Sequence, residues 1–187
     1  ALIDRRERLL GPGNPLFYDD PVHLVRGEGV WLHDADGRRY LDCYNNVPCV
    51  GHCHPRVVEA LCAQAGTLNT HTRYLHENIL TYAENLLAKF DDSLDRVAIA
   101  CTGSEANDLA MRIARINTGA EGFICTNATY HGNTTAVGQL NSIFEPIGGY
   151  GEHIRMVSWP DAYRTPANVD KDALADHYAG EVRQAIE

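Results

Sequence analysis

Lysine is nearly missing: the chain of 187 residues holds Lys89 and Lys171 and no others, and sixteen basic side chains stand against twenty-five acidic ones. The net charge of −9, with no Lys/Arg cluster anywhere, excludes a nucleic-acid surface or an anionic-membrane patch. Long apolar runs are lacking too. No stretch approaches the ~20 residues that a membrane span needs. The start, Ala1-Leu2-Ile3-Asp4-Arg5-Arg6-Glu7-Arg8, is amphipathic without a secretory core, so a soluble, cytoplasmic protein is expected. A zinc set is also wanting. Cys49-Val50-Gly51-His52-Cys53-His54 crowds candidate ligands together, but no second pair follows at zinc-finger spacing and adjacent ligands strain a tetrahedral site. No metal is expected. The six cysteines (Cys43, Cys49, Cys53, Cys62, Cys101, Cys125) are expected as reduced thiols in apolar or strand-like surroundings.

What is present has the order of an α/β protein. The length suits one domain with a substantial core, or one and a fraction. After an amphipathic lead-in ended by Gly11-Pro12-Gly13-Asn14-Pro15, three short strands are predicted at 22–26, 30–34 and 38–43. Glycine-bearing turns between them make an antiparallel meander. His54-Pro55 opens a helix with Val57, Val58, Leu61, Cys62 and Ala65 on one stripe, and a second helix spans about 77–90. Strands at 122–126 and 154–158 then alternate with helices, which implies a parallel sheet. From Lys171 a helical pattern runs to Ile186 and stops without a glycine cap, so the chain is expected to be the front part of a larger protein.

The densest signal is Val97-Ala98-Ile99-Ala100-Cys101-Thr102-Gly103-Ser104-Glu105-Ala106-Asn107. It predicts a buried strand at 97–101 breaking through a glycine turn into a helix whose apolar stripe is Leu109, Ala110, Ile113 and Ala114. At Thr102, Gly103 and Ser104, free N–H groups, the helix dipole and two hydroxyls would converge on an oxyanion, and phosphate fits best. The same residues serve equally as an ordinary helix cap. The loop Thr129-Tyr130-His131-Gly132-Asn133 shifts the balance, because it follows a strand and should emerge at the same carboxyl edge of the sheet. An aromatic ring, an imidazole and a close-packing glycine beside an anion suit a flat, phosphorylated cofactor.

At this point the chain resembles the class III aminotransferases, pyridoxal-phosphate (PLP) enzymes of fold type I. The resemblance rests on Arg26-Gly27-Glu28-Gly29 with Asp34-Ala35-Asp36-Gly37-Arg38-Arg39-Tyr40-Leu41-Asp42, on Gly51-His52-Cys53-His54-Pro55, on Thr102-Gly103-Ser104-Glu105-Ala106-Asn107-Asp108 and on Tyr130-His131-Gly132. Segments 68–76, 104–110 and 159–164 are similar to the branch that holds alanine–glyoxylate-aminotransferase-like proteins and phospho-lyases. The resemblance implies that residues 1–55 form the N-terminal part of a small domain, an antiparallel meander. Residues 56–187 then begin the large PLP-binding domain, a mainly parallel α/β/α sheet. It further implies that Gly103 and Ser104, with Thr102 behind, hold the cofactor phosphate, and that Tyr130 stacks on the pyridine ring with His131 nearby. Asn45, Asn46 and Val47 would lie by the substrate. Tyr74 would lie near the cofactor of the partner subunit in a homodimer with a shared site.

Family chemistry also needs a lysine that forms the Schiff base and an aspartate that keeps the ring nitrogen protonated. Neither Lys89 nor Lys171 has the family's surroundings, and both are expected to point into solvent. The activity implied first is transfer of an amino group from an amine or amino acid to a small keto acid such as pyruvate or glyoxylate. A phospho-lyase acting on phosphoethanolamine or a related amino-phosphate is the alternative, with Arg73 and His71 as candidate phosphate contacts. A third reading is an incompetent fragment that acts only through association.

Overall fold

A computed structural model describes residues 1–13, 15–45 and 49–187, which fall into two compact units, Ala1–Glu77 and Asn78–Glu187. The first opens with helix α1 (Leu2–Leu10) and continues into the expected meander. Strand β2 (Trp31–Asp34) is central, with β1 (Leu24–Glu28) and β3 (Arg39–Leu41) antiparallel on its two sides, Arg26 opposite His33 and Leu32 opposite Tyr40. Asp34 drives the second turn: one carboxylate oxygen accepts the N–H groups of Asp36 (3.0 Å) and Arg38 (2.8 Å), the other the Tyr40 hydroxyl (2.8 Å). Burial pushes that carboxyl up, but the hydroxyl and the two N–H groups outweigh it and hold Asp34 below the usual carboxylate range.

The motif residues 26–29, 42 and 51–52 meet in one lock. Gly29 and His52 exchange both backbone hydrogen bonds, at 3.0 and 2.7 Å. Gly51, at φ 85°, lies so close that a β-carbon there would stand 2.6 Å from the Gly29 carbonyl oxygen, and one on Gly27 would stand 2.8 Å from the His52 ring. The His52 Nε2 donates to Asp42 at 2.7 Å. The other Asp42 oxygen accepts Tyr44 N–H, Asn45 N–H and the Asn45 side-chain amide. Accepting from Asn45 and Tyr44 N–H first of all, and then from His52, drives the Asp42 carboxyl far below the usual range despite its burial. His54 then precedes helix α2 (Pro55–Thr67), whose first-turn proline lacks only an N–H that has no helical acceptor anyway.

The second unit carries α3 (Glu77–Leu87), α4 (Gly103–Thr118), β4 (Phe123–Thr126), α5 (Thr135–Gly138) and β5 (Ile154–Val157), and ends in a short 3-10 turn and α6 (Leu174–Ile186). Strands β4 and β5 pair in parallel, Cys125 opposite Met156, and α6 packs on β5. Met111, Cys125, Val137, Ile154 and Val157 are the buried apolar residues. No described helix is long and apolar enough to cross a membrane.

Three expectations need correction. Residues 97–101 run without a ladder partner among the described residues, and Val97 and Ile99 are exposed, so the predicted buried strand is not formed here. An apolar run signals a wish for burial, but a strand exists only through its neighbours. In α4 the covered positions are Ser104, Asn107, Asp108, Leu109, Met111 and Arg115, so Leu109 of the expected stripe is covered while Ala110, Ile113 and Ala114 are exposed. The helix is rolled onto that face because Ser104 and Asn107 hydrogen-bond the loop that follows β4. Lastly, only Cys125 of the six thiols is buried, and burial raises its pKa.

A carboxylate with a lowered pKa stabilises the fold above its unfolded-state value and loses that contribution as the pH falls. Thermal melts should therefore show a Tm that declines below about pH 4. Replacement of Asp42 by Asn should lower Tm at neutral pH and flatten the acid decline. An unchanged acid limb would show that the lock is not an acid-sensitive support.

Candidate functional site

The site is assembled at the carboxyl ends of the parallel strands. The segments after β4 and β5 leave at that edge and are tied there: Asn127 N–H donates to Val157 (2.9 Å), Trp159 N–H to the Asn127 side chain (2.8 Å) and Ser158 N–H to Glu181 of α6 (2.7 Å). Ser158 N–H, more than any other contact, holds the Glu181 carboxyl below its usual range. The N-terminus of α4 joins the same edge through the 129–133 loop, so the two segments singled out in the sequence do come together.

Thr102 caps α4: its hydroxyl oxygen accepts Glu105 N–H at 3.1 Å, and the Glu105 carboxylate accepts Cys101 N–H at 2.8 Å. The first bond along the helix is Ala106 N–H to the Thr102 carbonyl (3.0 Å). That leaves the N–H groups of Gly103 and Ser104 without an acceptor among the described residues. Gly103 is exposed and a β-carbon on it would meet nothing within 4 Å, so the turn is uncrowded on that side. A helix of 16 residues directs the positive end of its dipole there. Two free donors, a dipole and open room fit a phosphate.

Ser104 also binds the neighbouring loop. Its hydroxyl oxygen accepts Asn133 N–H at 3.0 Å, and Gly132, at φ 145°, presses so tightly that a β-carbon would come within 2.6 Å of the Ser104 hydroxyl and 2.8 Å of its α-carbon. Asn107 donates to the His131 carbonyl at 2.8 Å. Asn141, 4% exposed, accepts His131 N–H at 2.6 Å and donates to the Gly132 carbonyl at 2.7 Å. Thr129 anchors the loop's start: its hydroxyl lies 3.0 Å from the Thr126 and 2.9 Å from the Leu140 carbonyl oxygen and donates to this pair. Tyr130 at the head of this frame is 51% exposed, so its side chain is accessible to a ligand. Asn107 and Asn133 stand inside the sequence motifs without a role of their own, and Asn141 lies outside them. Asparagine in polar stretches carries no periodic signal, and only the fold shows that the Asn107 and Asn141 side chains are spent on the loop backbone, while Asn133 contributes its own N–H to Ser104.

The first unit holds the other candidates. Asn45 is tied to Asp42 by both its backbone and its side-chain amide, while Asn46 and Val47 lie outside the described residues. Tyr74 is exposed and its ring lies 5.1 Å from that of His71, whose Nδ1 accepts Arg73 N–H at 3.2 Å. Lys89 and Lys171 are both exposed.

The clasp between Ser104 and Gly132 makes a stability prediction. Gly132→Ala should cost about 1–3 kcal/mol, because the left-handed backbone there disfavours any β-carbon and the new one has no room. Ser104→Ala should cost about 0.5–1.5 kcal/mol for one lost hydrogen bond. Denaturant unfolding checks both, and a neutral Gly132→Ala would mean the loop does not rest on the turn.

The family model for class-III aminotransferases matches residues 18–187. An alanine–glyoxylate aminotransferase 2-like protein of Drosophila melanogaster is 39% identical over 165 residues, covering 86% of this chain and 33% of the relative. An ethanolamine-phosphate phospho-lyase homologue of Caenorhabditis elegans is 34% identical over 184 residues, covering 94% and 37%. Among solved structures, a phospholyase from Arthrobacter in complex with phosphoethanolamine superposes on all of this chain and 44% of its own, with a TM-score of 0.90 and 45% identity. The chain thus spans between a third and a half of the length of these relatives. With this match across the meander, the α4 turn and the 129–133 loop, the chain belongs to the class-III aminotransferases, a fold-type I, PLP-dependent family related to both transaminases and phospho-lyases.

Proposed function

We propose that the protein to which this chain belongs is a PLP-dependent aminotransferase that moves an amino group from an amine or amino acid to a small keto acid such as pyruvate or glyoxylate. The observation that carries the reading is the junction of two parts: unpaired N–H groups of Gly103 and Ser104 under open space, and Tyr130 on a loop clasped to that same turn. In this reading Gly103 and Ser104 bind the cofactor phosphate, Thr102 holds the turn in shape, and Tyr130 covers the pyridine ring with His131 beside it. The bound cofactor supplies an electron sink for the charge left on the amine carbon when its proton is removed. Asn45, Asn46, Val47 and Tyr74 are assigned to the substrate side, Tyr74 serving the partner subunit of a homodimer. Residues 1–55 belong to the small domain and 56–187 to the large one. The reactive lysine is assigned outside these residues, since Lys89 and Lys171 are both exposed.

A second reading is favoured by the 45% identity to the Arthrobacter phospholyase. The protein would then eliminate phosphate from an amino-phosphate such as phosphoethanolamine, with Arg73 and His71 as cationic contacts for the leaving group.

One assay separates the two. An aminotransferase consumes amine only when a keto acid is supplied and releases no inorganic phosphate; a phospho-lyase releases inorganic phosphate from phosphoethanolamine with no keto acid present. If the complete protein with PLP does neither, catalytic function is refuted and association alone remains. For the cofactor contacts, Tyr130→Ala should weaken PLP binding about tenfold, the equivalent of roughly 1.4 kcal/mol of lost stacking and burial. Titration of the apoprotein followed by the visible absorbance of PLP measures it, and unchanged affinity would remove Tyr130 from the site.

A further inference from the structure

We propose that Asn141 is a positioning residue for the cofactor ring, acting through the backbone of His131 and Gly132; this rests on the cofactor reading above. The His131–Gly132 pair offers its polar groups to two asparagine side chains: Asn141 takes the His131 N–H (2.6 Å) and gives to the Gly132 carbonyl (2.7 Å), while Asn107 gives to the His131 carbonyl (2.8 Å). Asn141 is 4% exposed, so an unmade bond there would leave a buried polar group unsatisfied. Its own backbone is fixed as well, its N–H on the Gly138 carbonyl (3.2 Å) and its carbonyl on the Tyr150 hydroxyl (2.8 Å). The amide matters as an amide. It needs one acceptor and one donor at the same time, which asparagine has and aspartate lacks.

This division of labour separates ring from phosphate. The free N–H groups of Gly103 and Ser104 belong to α4 and make no contact with Asn141, whereas Tyr130 and His131 ride on the segment that Asn141 clamps. Asn141 therefore governs how well a ring is held in place, and leaves the capture of a bare phosphate to the helix N-terminus.

The test is carried out on the apoprotein of the complete protein, titrated separately with PLP and with inorganic phosphate as a competitor, with visible circular dichroism of bound PLP as a third readout. Asn141→Asp is expected to raise the PLP dissociation constant tenfold or more, to leave the phosphate constant within twofold, and to weaken the induced dichroism that a fixed ring gives. Equal losses for both ligands, or no loss for either, overturn the proposal. If Asn141→Asp does not fold, Asn107→Ala removes only the bond to the His131 carbonyl and reads the same split; an unchanged ratio of the two constants there also overturns it. Wild-type protein that binds neither PLP nor phosphate refutes the cofactor reading itself, an outcome visible before any substitution is made.

Discussion

The second unit depends on the contact between Ser104 and Gly132. A helix start can bind an anion only if something holds open space in front of it, and a stacking ring is useful only at a fixed distance from that anion. Gly132 lets one backbone lie directly on the other, which in the proposed reading serves both needs. Its lack of a side chain brings the loop close enough for Asn133 N–H to reach the Ser104 hydroxyl, and for Asn107 to reach the carbonyl of His131. The turn and the loop are thereby one piece, although 24 residues, α4 and β4 among them, lie between Ser104 and Thr129 in sequence.

In the first unit the same building method serves a different purpose. Gly27, Gly29, Gly51, His52 and Asp42 belong to motifs as dense as those of the second unit, yet every close approach among them is spent on holding a meander to the entry of α2. Asp42 has both its oxygens occupied by protein donors, and it anchors Asn45 at the threshold of the segment assigned to the substrate. A glycine-rich motif thus marks close packing of backbone. Whether that packing supports a ligand or only the fold depends on which donors remain unpaired, and the N–H groups of Gly103 and Ser104 have no acceptor among the described residues.

Local order was legible in the sequence wherever a local cause sets it. The meander turns, the proline-led start of α2 and the Thr102 cap follow from residues within a few positions of each other, and the parallel pairing of β4 with β5 from the alternation of strands with helices. Burial was less legible, because periodicity tells which face is apolar and not what covers it. Helices α2 and α3 have clear stripes and no buried residue, and the run at 97–101 has strand composition and no ladder. The meeting of the 102–104 turn with the 129–133 loop was legible from strand logic, since both were expected at one sheet edge. The asparagines that enforce the meeting were not. Their partners are backbone groups more than eight positions away, which no spacing rule reports.

Charge shows why the local geometry has to carry so much. A chain of net charge −9 repels a phosphorylated ligand at long range, so attraction must come from groups within a Debye length, about 8 Å at physiological ionic strength. In the proposed reading the α4 turn meets that requirement without a single lysine. Its donors are two backbone N–H groups and a dipole worth about half a unit charge, which are strong only when they are fixed and poorly hydrated. Glu105, the acidic residue of that first turn, would oppose an anion, but its carboxylate is engaged by Cys101 N–H at 2.8 Å. The donors therefore have to be aimed rather than merely present. The cap by Thr102 and the clasp by Gly132 are two ways in which the surrounding sequence supplies the aim.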